Sequence, residues 1–477
     1  MSAYQLVWLR QDLRTFDHSA LYHAMAAGPT IAVVVLSPEQ WRLHDDAPIK
    51  IDFYLRQLHA LQDDLARLNV PLVVLRVDLW RDIAPALAEL CQTLPITQCY
   101  ANREVGVHEI ERDQAVMTTL QQFNITTHFF EDRTLFPLGT IRNKNMQPYQ
   151  VFSAFKKQCY EKLAMHLPSC YPTPTPQQPF TLTLEASAFY IPSLTELGLN
   201  EVSPLEQALW PVGETNALER LDAFIHDQVE HYDQERDYPH LNSTSQLSPY
   251  LNMGLLSIRS CIQALFREQH GQLDFSSTGQ QVWLNELLWR EFYLHILYDF
   301  PKVSKHQPFK DTTKDIKWRD APHELQAWQQ GQTGIPIVDA GMRQMLATGW
   351  MHNRVRMIVA MFLTKNLLID WRLGEAWFMQ HLIDGDLAAN NGGWQWCAST
   401  GTDAVPYFRI FNPVSQSEKF DPDGAYLRSW LPELAHLNGK EIHDPYAKHP
   451  ERKLDYPRPI VDLKHSRLRA LEAFKAL

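Results

Sequence analysis

Cysteine pairs, phosphate loops and long apolar runs are all missing from this sequence. The six cysteines (Cys91, Cys99, Cys159, Cys170, Cys261 and Cys397) form no C-x-x-C pair. That argues against a zinc ribbon and a disulfide scaffold, and free thiols in a reducing compartment are expected. No stretch approaches the roughly 20 apolar residues that cross a bilayer. Arg10, Asp12 and Arg14 arrive before any apolar run of signal-peptide length. A soluble, non-secreted, cytoplasmic protein with no membrane partner is expected. Neither a Walker A motif nor a G-x-G-x-x-G turn is present, and no repeat or low-complexity segment appears. The formal net charge of −11 argues against a general coat of positive charge. It leaves room for a local basic groove, because affinity follows the nearby field.

What is present is ordinary in bulk: 45% hydrophobic and 21% charged residues in a chain of 477, enough for two or three domains. Short apolar runs at 5–10, 30–36, 72–77, 96–102 and 125–131 read as buried strands. Between them lie helical patterns, clearest at 49–68, where Ile51, Leu55, Leu58, Leu61, Leu65 and Leu68 mark one face. This alternation predicts a Rossmann-like α/β domain over 1–135 with a parallel five-stranded sheet. Its first strand–helix connection, Trp8-Leu9-Arg10-Gln11-Asp12-Leu13-Arg14, has no glycine to admit a pyrophosphate. Eight of the thirty prolines fall in 168–211, so a linker is placed over 136–211. From 212 to 477 the pattern is helical, clearest at 281–300 and 350–369. Pro336 and Gly349 bracket a further helix.

Nine of the fourteen tryptophans lie between Trp283 and Trp396. Tryptophan is ordinarily core filler, but beside Asn, Arg and Gly it can stack on bases or planar cofactors. Glu286, Trp289, Arg290 and Tyr293 share one helix face. They are either a surface ion pair beside a partly buried ring or a ligand-facing set. Trp350, Asn353 and Met357 share another face, and Asn can bond a base edge bidentately. Arg354 and Arg356 suit phosphates or acids; His352 suits a cap, a packed ring or an acid. Asp384 and Asp386 lack the further oxygen ligands of an EF-hand, so no metal is expected. With Asn390, Asn391 and the Gly392-Gly393 pair they suit the edge of a flat ligand. The hydroxyl-rich run 244–248 precedes an expected helix containing Gly254-Leu255-Leu256-Ser257 and suits a cap or an anion. Segment 343–419 carries seven Lys/Arg against six Asp/Glu, a slight positive excess.

These residues resemble the class I cyclobutane pyrimidine dimer photolyases of bacteria, in the photolyase/cryptochrome family. The likeness runs through 6–14, 282–293, 349–356 and 382–413. It implies an α/β antenna domain and an all-α FAD domain. The implied function is light-driven splitting of pyrimidine dimers in DNA by electron transfer from reduced FAD. A cryptochrome-type blue-light photoreceptor is the alternative. The family's FAD contacts fall on Tyr232, Thr244, Ser245, Gln246, Leu247, Ser248, Asp384, Asp386 and Asn390. Gln246 replaces the Arg found there in a relative. The resemblance assigns an electron relay to Trp394, Trp371 and Trp318. It assigns the flipped-dimer pocket to Glu286, Trp289, Asn353, Met357 and Trp396, with Arg354 and Gln416 as further DNA contacts. A methenyltetrahydrofolate antenna would sit at His44, His108 and Glu109, although His108 replaces the family's Asn; a deazaflavin is the alternative. The working form is expected to be a monomer bound to dimer-containing DNA.

Overall fold

The structure is a computed structural model that describes residues 3–477. The five apolar runs form strands β1 (Tyr4–Leu9), β2 (Thr30–Leu36), β3 (Leu72–Arg76), β4 (Ile96–Asn102) and β5 (Thr126–Phe130). They make one sheet in the order β3-β2-β1-β4-β5, all pairs parallel. The central strand β1 pairs Val7 with Ala32 on one side and Tyr100 on the other. Helices α1 (Pro48–Arg67), α2 (Ile83–Thr93) and α3 (Val107–Gln121) connect the strands. Leu6, Trp8, Ile31, Val33 and Val73 pack with Leu87 of α2 and Val116 and Leu120 of α3 in one core. The face read on α1 is buried at Ile51, Leu55, Leu58, Leu61 and Leu65.

The expected linker is not wholly irregular. Phe152, Phe155, Cys159 and Leu163 recur at helical spacing and are the buried face of helix α4 (Phe152–Met165). The reading from proline density hid this amphipathic segment and the short helix Pro204–Leu209.

The glycine-free connection after β1 serves packing. Leu13 N donates to Met253 O (3.3 Å) and Arg14 Nη1 to Gly254 O (3.0 Å). Gly254 ends the short helix Ser248–Met253 at a φ of 74°, where a Cβ would collide with the Gln11 carbonyl. The helix expected to run through Gly254 therefore stops there. Beside it lies a buried ionic cluster. Arg259 Nε donates to both Asp17 oxygens (3.0 and 2.9 Å) and its Nη2 to Asp132 Oδ1 (2.7 Å). Arg14 pairs with Asp132 from the other side. Burial alone would raise the Asp132 carboxyl, yet Arg14 and Arg259 hold it well below the usual carboxylate range. Removing one member of such a buried cluster costs about 3–5 kcal/mol, because a charge is left unpaired.

The chain forms two compact units, one of Met1–Glu230 with Ser245–Pro301 and one of His231–Thr244 with Lys302–Leu477. The first contains α5 (Thr278–Asp299), tied back by Glu291, whose two oxygens accept from Leu135 N and Phe136 N at 3.0 Å each. The second contains α6 (Pro336–Thr348), ended by Gly349 at a φ of 68°. The helix expected over 350–369 is shorter. His352 caps α7 (Asn353–Met361), and a π-turn (Phe362–Asn366) follows. Leu368, at a φ of 51°, closes it. Further on lie α8 (Trp371–Met379), α9 (Leu387–Ala398), α10 (Pro413–Phe420) and α11 (Leu463–Lys475). No helix among the described residues is long and apolar enough to cross a membrane.

Lys365 sits in the π-turn, fully buried. Its Nζ donates to Ser399 Oγ (2.8 Å) and lies 3.7 Å from the Phe474 ring centre, with no carboxylate partner among the described contacts. Burial pulls its pKa from 10.5 down to about 7. A folded-state pKa below the unfolded one means the penalty is full below about pH 7 and fades as pH rises towards 10.5. Lys365→Met should therefore raise Tm at pH 6.5 by several degrees (~1–4 kcal/mol). Little gain is expected at pH 10, as read by thermal melts at both values.

Candidate functional site

In the second unit the candidate residues gather on α7, α9 and the elements that brace them. His352 caps α7, its Nδ1 accepting from Arg354 N (3.2 Å). Burial pushes its pKa down to about 4, and its Nε2 is buried with no partner. Of the three roles open to it, the cap is the one realised. The ring is neutral at physiological pH, with an N–H left for a ligand. Asn353, Arg354 and Met357 reach the surface one turn apart, whereas Val355, Ile358 and Val359 are buried. The two arginines separate in role. Arg356 Nη2 donates to both oxygens of Asp384 (3.0 and 2.9 Å). Arg354 Nε and Nη2 donate to Asp237 Oδ1 (3.1 and 2.7 Å).

Asp384 and Asp386 do different work, and no cluster able to hold a metal occurs among the described residues. Asp384 faces Arg356, whereas Asp386 caps α9 by accepting from Ala389 N (2.9 Å). Asn390 Nδ2 donates to the Glu375 carbonyl (2.9 Å), which fixes the amide and leaves its oxygen to accept. Gly393, almost one turn on, opens on space clear of any atom within 4 Å. A fixed amide, an open glycine, a buried carboxylate–guanidinium pair and an orphaned imidazole N–H fit a flat, hydrogen-bonding ligand such as a flavin. Tyr232 and Thr244 belong to the same unit, Tyr232 nearly buried and 5.8 Å from the Arg236 guanidinium. Trp396 and Gln416 are half-buried, Gln416 on α10.

The tryptophans grade outward: Trp394 and Trp371 are buried and Trp318 is half-exposed. Trp371 and Gly374 share a face of α8. A Cβ on Gly374 would collide with the Trp394 ring and come within 2.7 Å of Leu363. Glycine is thus what lets Trp394 seat one turn from Trp371. Trp318 meets the edge of Phe474 at 6.4 Å between centres. Sequence reasoning missed Trp328, fully buried and 6.0 Å from Trp394. It is one of nine clustered tryptophans, and spacing did not distinguish it.

In the first unit, Glu286 and Trp289 are half-buried on α5. Phe152 lies flat on Trp289, at 3.7 Å between centres and 13° between planes. Phe152 was missed because it falls in the proline-rich connector. Arg290 Nη1 donates to the Arg133 carbonyl (2.9 Å), so it helps anchor α5. Ser245, Gln246, Leu247 and Ser248 also lie here; only Leu247 is buried. Gln246 has a φ of 48° and accepts from Arg220 Nη1 (3.0 Å). A guanidinium is therefore present beside the position where a relative carries it directly.

His44, His108 and Glu109 come together at the carboxyl end of the sheet, where open α/β folds bind ligands. His44 and His108 stack at 5.3 Å and share a hydrogen bond of 3.1 Å. Glu109 lines an open cleft with Trp8, Trp41, Tyr54, Trp80 and Arg112. Burial, then the charge of Glu104, push the Glu109 pKa up to about 7, so near neutral pH the carboxyl is partly protonated and in that form can donate.

The chain thus combines a parallel-sheet domain with a helical part rich in buried tryptophan. The model for "DNA photolyase" matches residues 5–178, and that for "FAD binding domain of DNA photolyase" matches 283–476. The chain is 44% identical to the deoxyribodipyrimidine photo-lyase of Salmonella typhimurium, over 99% of this chain and 98% of that one. It superposes on a bacterial class III photolyase of Agrobacterium tumefaciens at a TM-score of 0.86, with 35% identity over 100% and 98% of the two chains. A cryptochrome of Synechocystis gives a TM-score of 0.87 with 28% identity over 99% of both. The chain belongs to the photolyase/cryptochrome family and carries its FAD binding domain. Within that family its class of enzyme is deoxyribodipyrimidine photo-lyase, the class that repairs pyrimidine dimers in DNA.

The Gly374 contact yields an expectation. Gly374→Ala should cost about 1–3 kcal/mol by overpacking and shift Trp394 from its seat. A lower Tm and an altered near-UV tryptophan dichroism check it.

Proposed function

We propose that the chain splits cyclobutane pyrimidine dimers by light-driven electron transfer, with contact to the flipped dimer assigned to Glu286, Trp289, Asn353, Met357 and Trp396. The accessible face of α7 carries this reading: an amide, a guanidinium and a thioether stand together outward, while Val355, Ile358, Val359, Ala360 and Met361 are buried. Bound, reduced FAD supplies the excited-state electron; the protein positions the reactants. Asn353 suits the amide edge of a pyrimidine, and Trp289 and Trp396 suit stacking against the bases. Arg354 and Gln416 hold the strand. Flipping costs a few kcal/mol, and less for a poorly paired lesion, so the lesion itself is favoured.

FAD is assigned to Tyr232, Thr244, Ser245, Gln246, Leu247, Ser248, Asp384, Asp386 and Asn390. Trp318, Trp371 and Trp394 carry electrons inward from the surface. The antenna is assigned as methenyltetrahydrofolate at His44, His108 and Glu109, supported by the stacked imidazoles and the near-neutral carboxyl. In functional terms 1–135 holds the antenna, 136–211 connects, and 212–477 binds FAD and DNA. The working form is a cytoplasmic monomer. The alternative, a signalling photoreceptor, is less supported, because the resemblance gives plant-type cryptochromes Asp and animal-type ones Cys where this chain has Asn390.

Reduced protein incubated with a thymine-dimer oligonucleotide should remove the lesion in blue light and not in darkness, as followed by chromatography. Equal loss in both conditions, or none in light, overturns the reading. Trp318→Phe should slow photoreduction of oxidised flavin at least tenfold while sparing repair by pre-reduced protein. Single-turnover repair assays on the pre-reduced variant separate the two effects.

A further inference from the structure

Arg354 is held on three sides. Its Nε and Nη2 both donate to one oxygen of Asp237 (3.1 and 2.7 Å). Its guanidinium lies 4.5 Å from the centre of the buried Phe420 ring. Its Nη1 stands 3.8 Å from the sulfur of Met357. A guanidinium offers a side edge, Nε with Nη2, and an end edge, Nη1 with Nη2. The side edge is taken by the carboxylate, so the end edge is left for a ligand, beside Met357. Phe420 ends the helix that carries Gln416, and Lys419 Nζ lies 4.9 Å from the same ring. Asp237 is thus an acidic group paired with Arg354 on a surface read as binding a polyanion. Its side chain is one-third exposed against one-sixth for Arg354 (34% and 16%). By charge alone it is unfavourable there.

We propose that Asp237 is a positioning residue that sets lesion specificity: it fixes Arg354 so that its end edge meets the phosphate beside a flipped dimer. This rests on the reading of Arg354 as a DNA contact. An arginine ordered before binding does not lose its rotamer freedom on binding, an advantage that goes only to the DNA whose phosphate stands at the preset place. Undamaged duplex, with no base flipped out, gains little from that order. It is bound mainly through net charge, which Asp237 weakens. Asp237 therefore acts in opposite directions on the two ligands.

The test measures binding in darkness by the full-length protein to one duplex with and without a single thymine dimer, by fluorescence anisotropy. Asp237→Ala should bind undamaged duplex as tightly as wild type or tighter, and dimer duplex more weakly. The ratio of the two affinities should fall by about 2- to 12-fold, the range set by ordering one long side chain. Asp237→Asn keeps an oxygen for Nε and Nη2 without the charge, so it should tighten both duplexes alike and keep the ratio. Equal tightening of both by Asp237→Ala would make Asp237 a mere charge, and equal weakening a mere structural brace; either overturns the proposal. Should the alanine variant melt far below wild type, Asp237→Ser replaces it in the same comparison. Arg354→Ala separates the layers. An unchanged ratio there removes the reading of Arg354 itself. A lowered ratio with no effect of Asp237→Ala removes only the role of Asp237.

Discussion

The buried cluster of Asp17, Asp132, Arg14 and Arg259 is the constraint on which the first unit depends. Two carboxylates and two guanidinium groups lie almost wholly out of water. None of them could stay charged there alone. Together they join the carboxyl ends of the sheet to 245–301, a segment that comes more than a hundred residues after β5. That segment carries Ser245, Gln246, Leu247, Ser248, Glu286 and Trp289. The glycine-free loop after β1 completes the joint by bonding to Met253 and Gly254. Where other α/β domains present a phosphate loop, this one presents an attachment surface. A pyrophosphate has no room where the Gln11 backbone already meets Gly254.

The second unit works with few dedicated residues. Asp386 and His352 each begin a helix, and both remain close to the groups read as facing the flavin. Helix starts suit such sites because their N–H groups and dipoles are already oriented. Gly374 shows the same economy in reverse, since a missing side chain decides how closely two indole rings can approach. The outward grading of Trp394, Trp371 and Trp318 follows from the packing of α8 and α9: the inner two rings are core, and Trp318 lies against the C-terminal helix α11 through Phe474.

Much of the fold was legible because its signals are local. Short apolar runs placed all five strands, and a period-3.6 pattern placed α1, to within a few residues. Pro336 and Gly349 gave both ends of α6. The errors arose where a non-local or capping interaction wins. His352 starts α7 three residues late, and Gly254 stops a helix because another backbone lies against it. α4 was hidden by the prolines that follow it. At the site, residue types and spacing suggested a stacking and hydrogen-bonding surface, but left Arg354 and Arg356 equivalent and Glu286 ambiguous. The family resemblance, rather than spacing, assigned the tryptophans and Asn390 the roles proposed for them.

By itself the sequence determined the class of each half, the parallel sheet, the absence of a phosphate loop and the cluster of Trp, Asn and Gly in 350–413. Those are properties of neighbours in the chain, set by periodicity and by residue chemistry. Only the tertiary structure decided that Phe152 covers Trp289, that Gly374 seats Trp394, that Arg220 stands beside Gln246, and that Arg356 faces Asp384 while Arg354 faces Asp237. Each is a contact between residues from different elements, and a burial pattern along one chain carries no information about which distant side chain fills the space opposite.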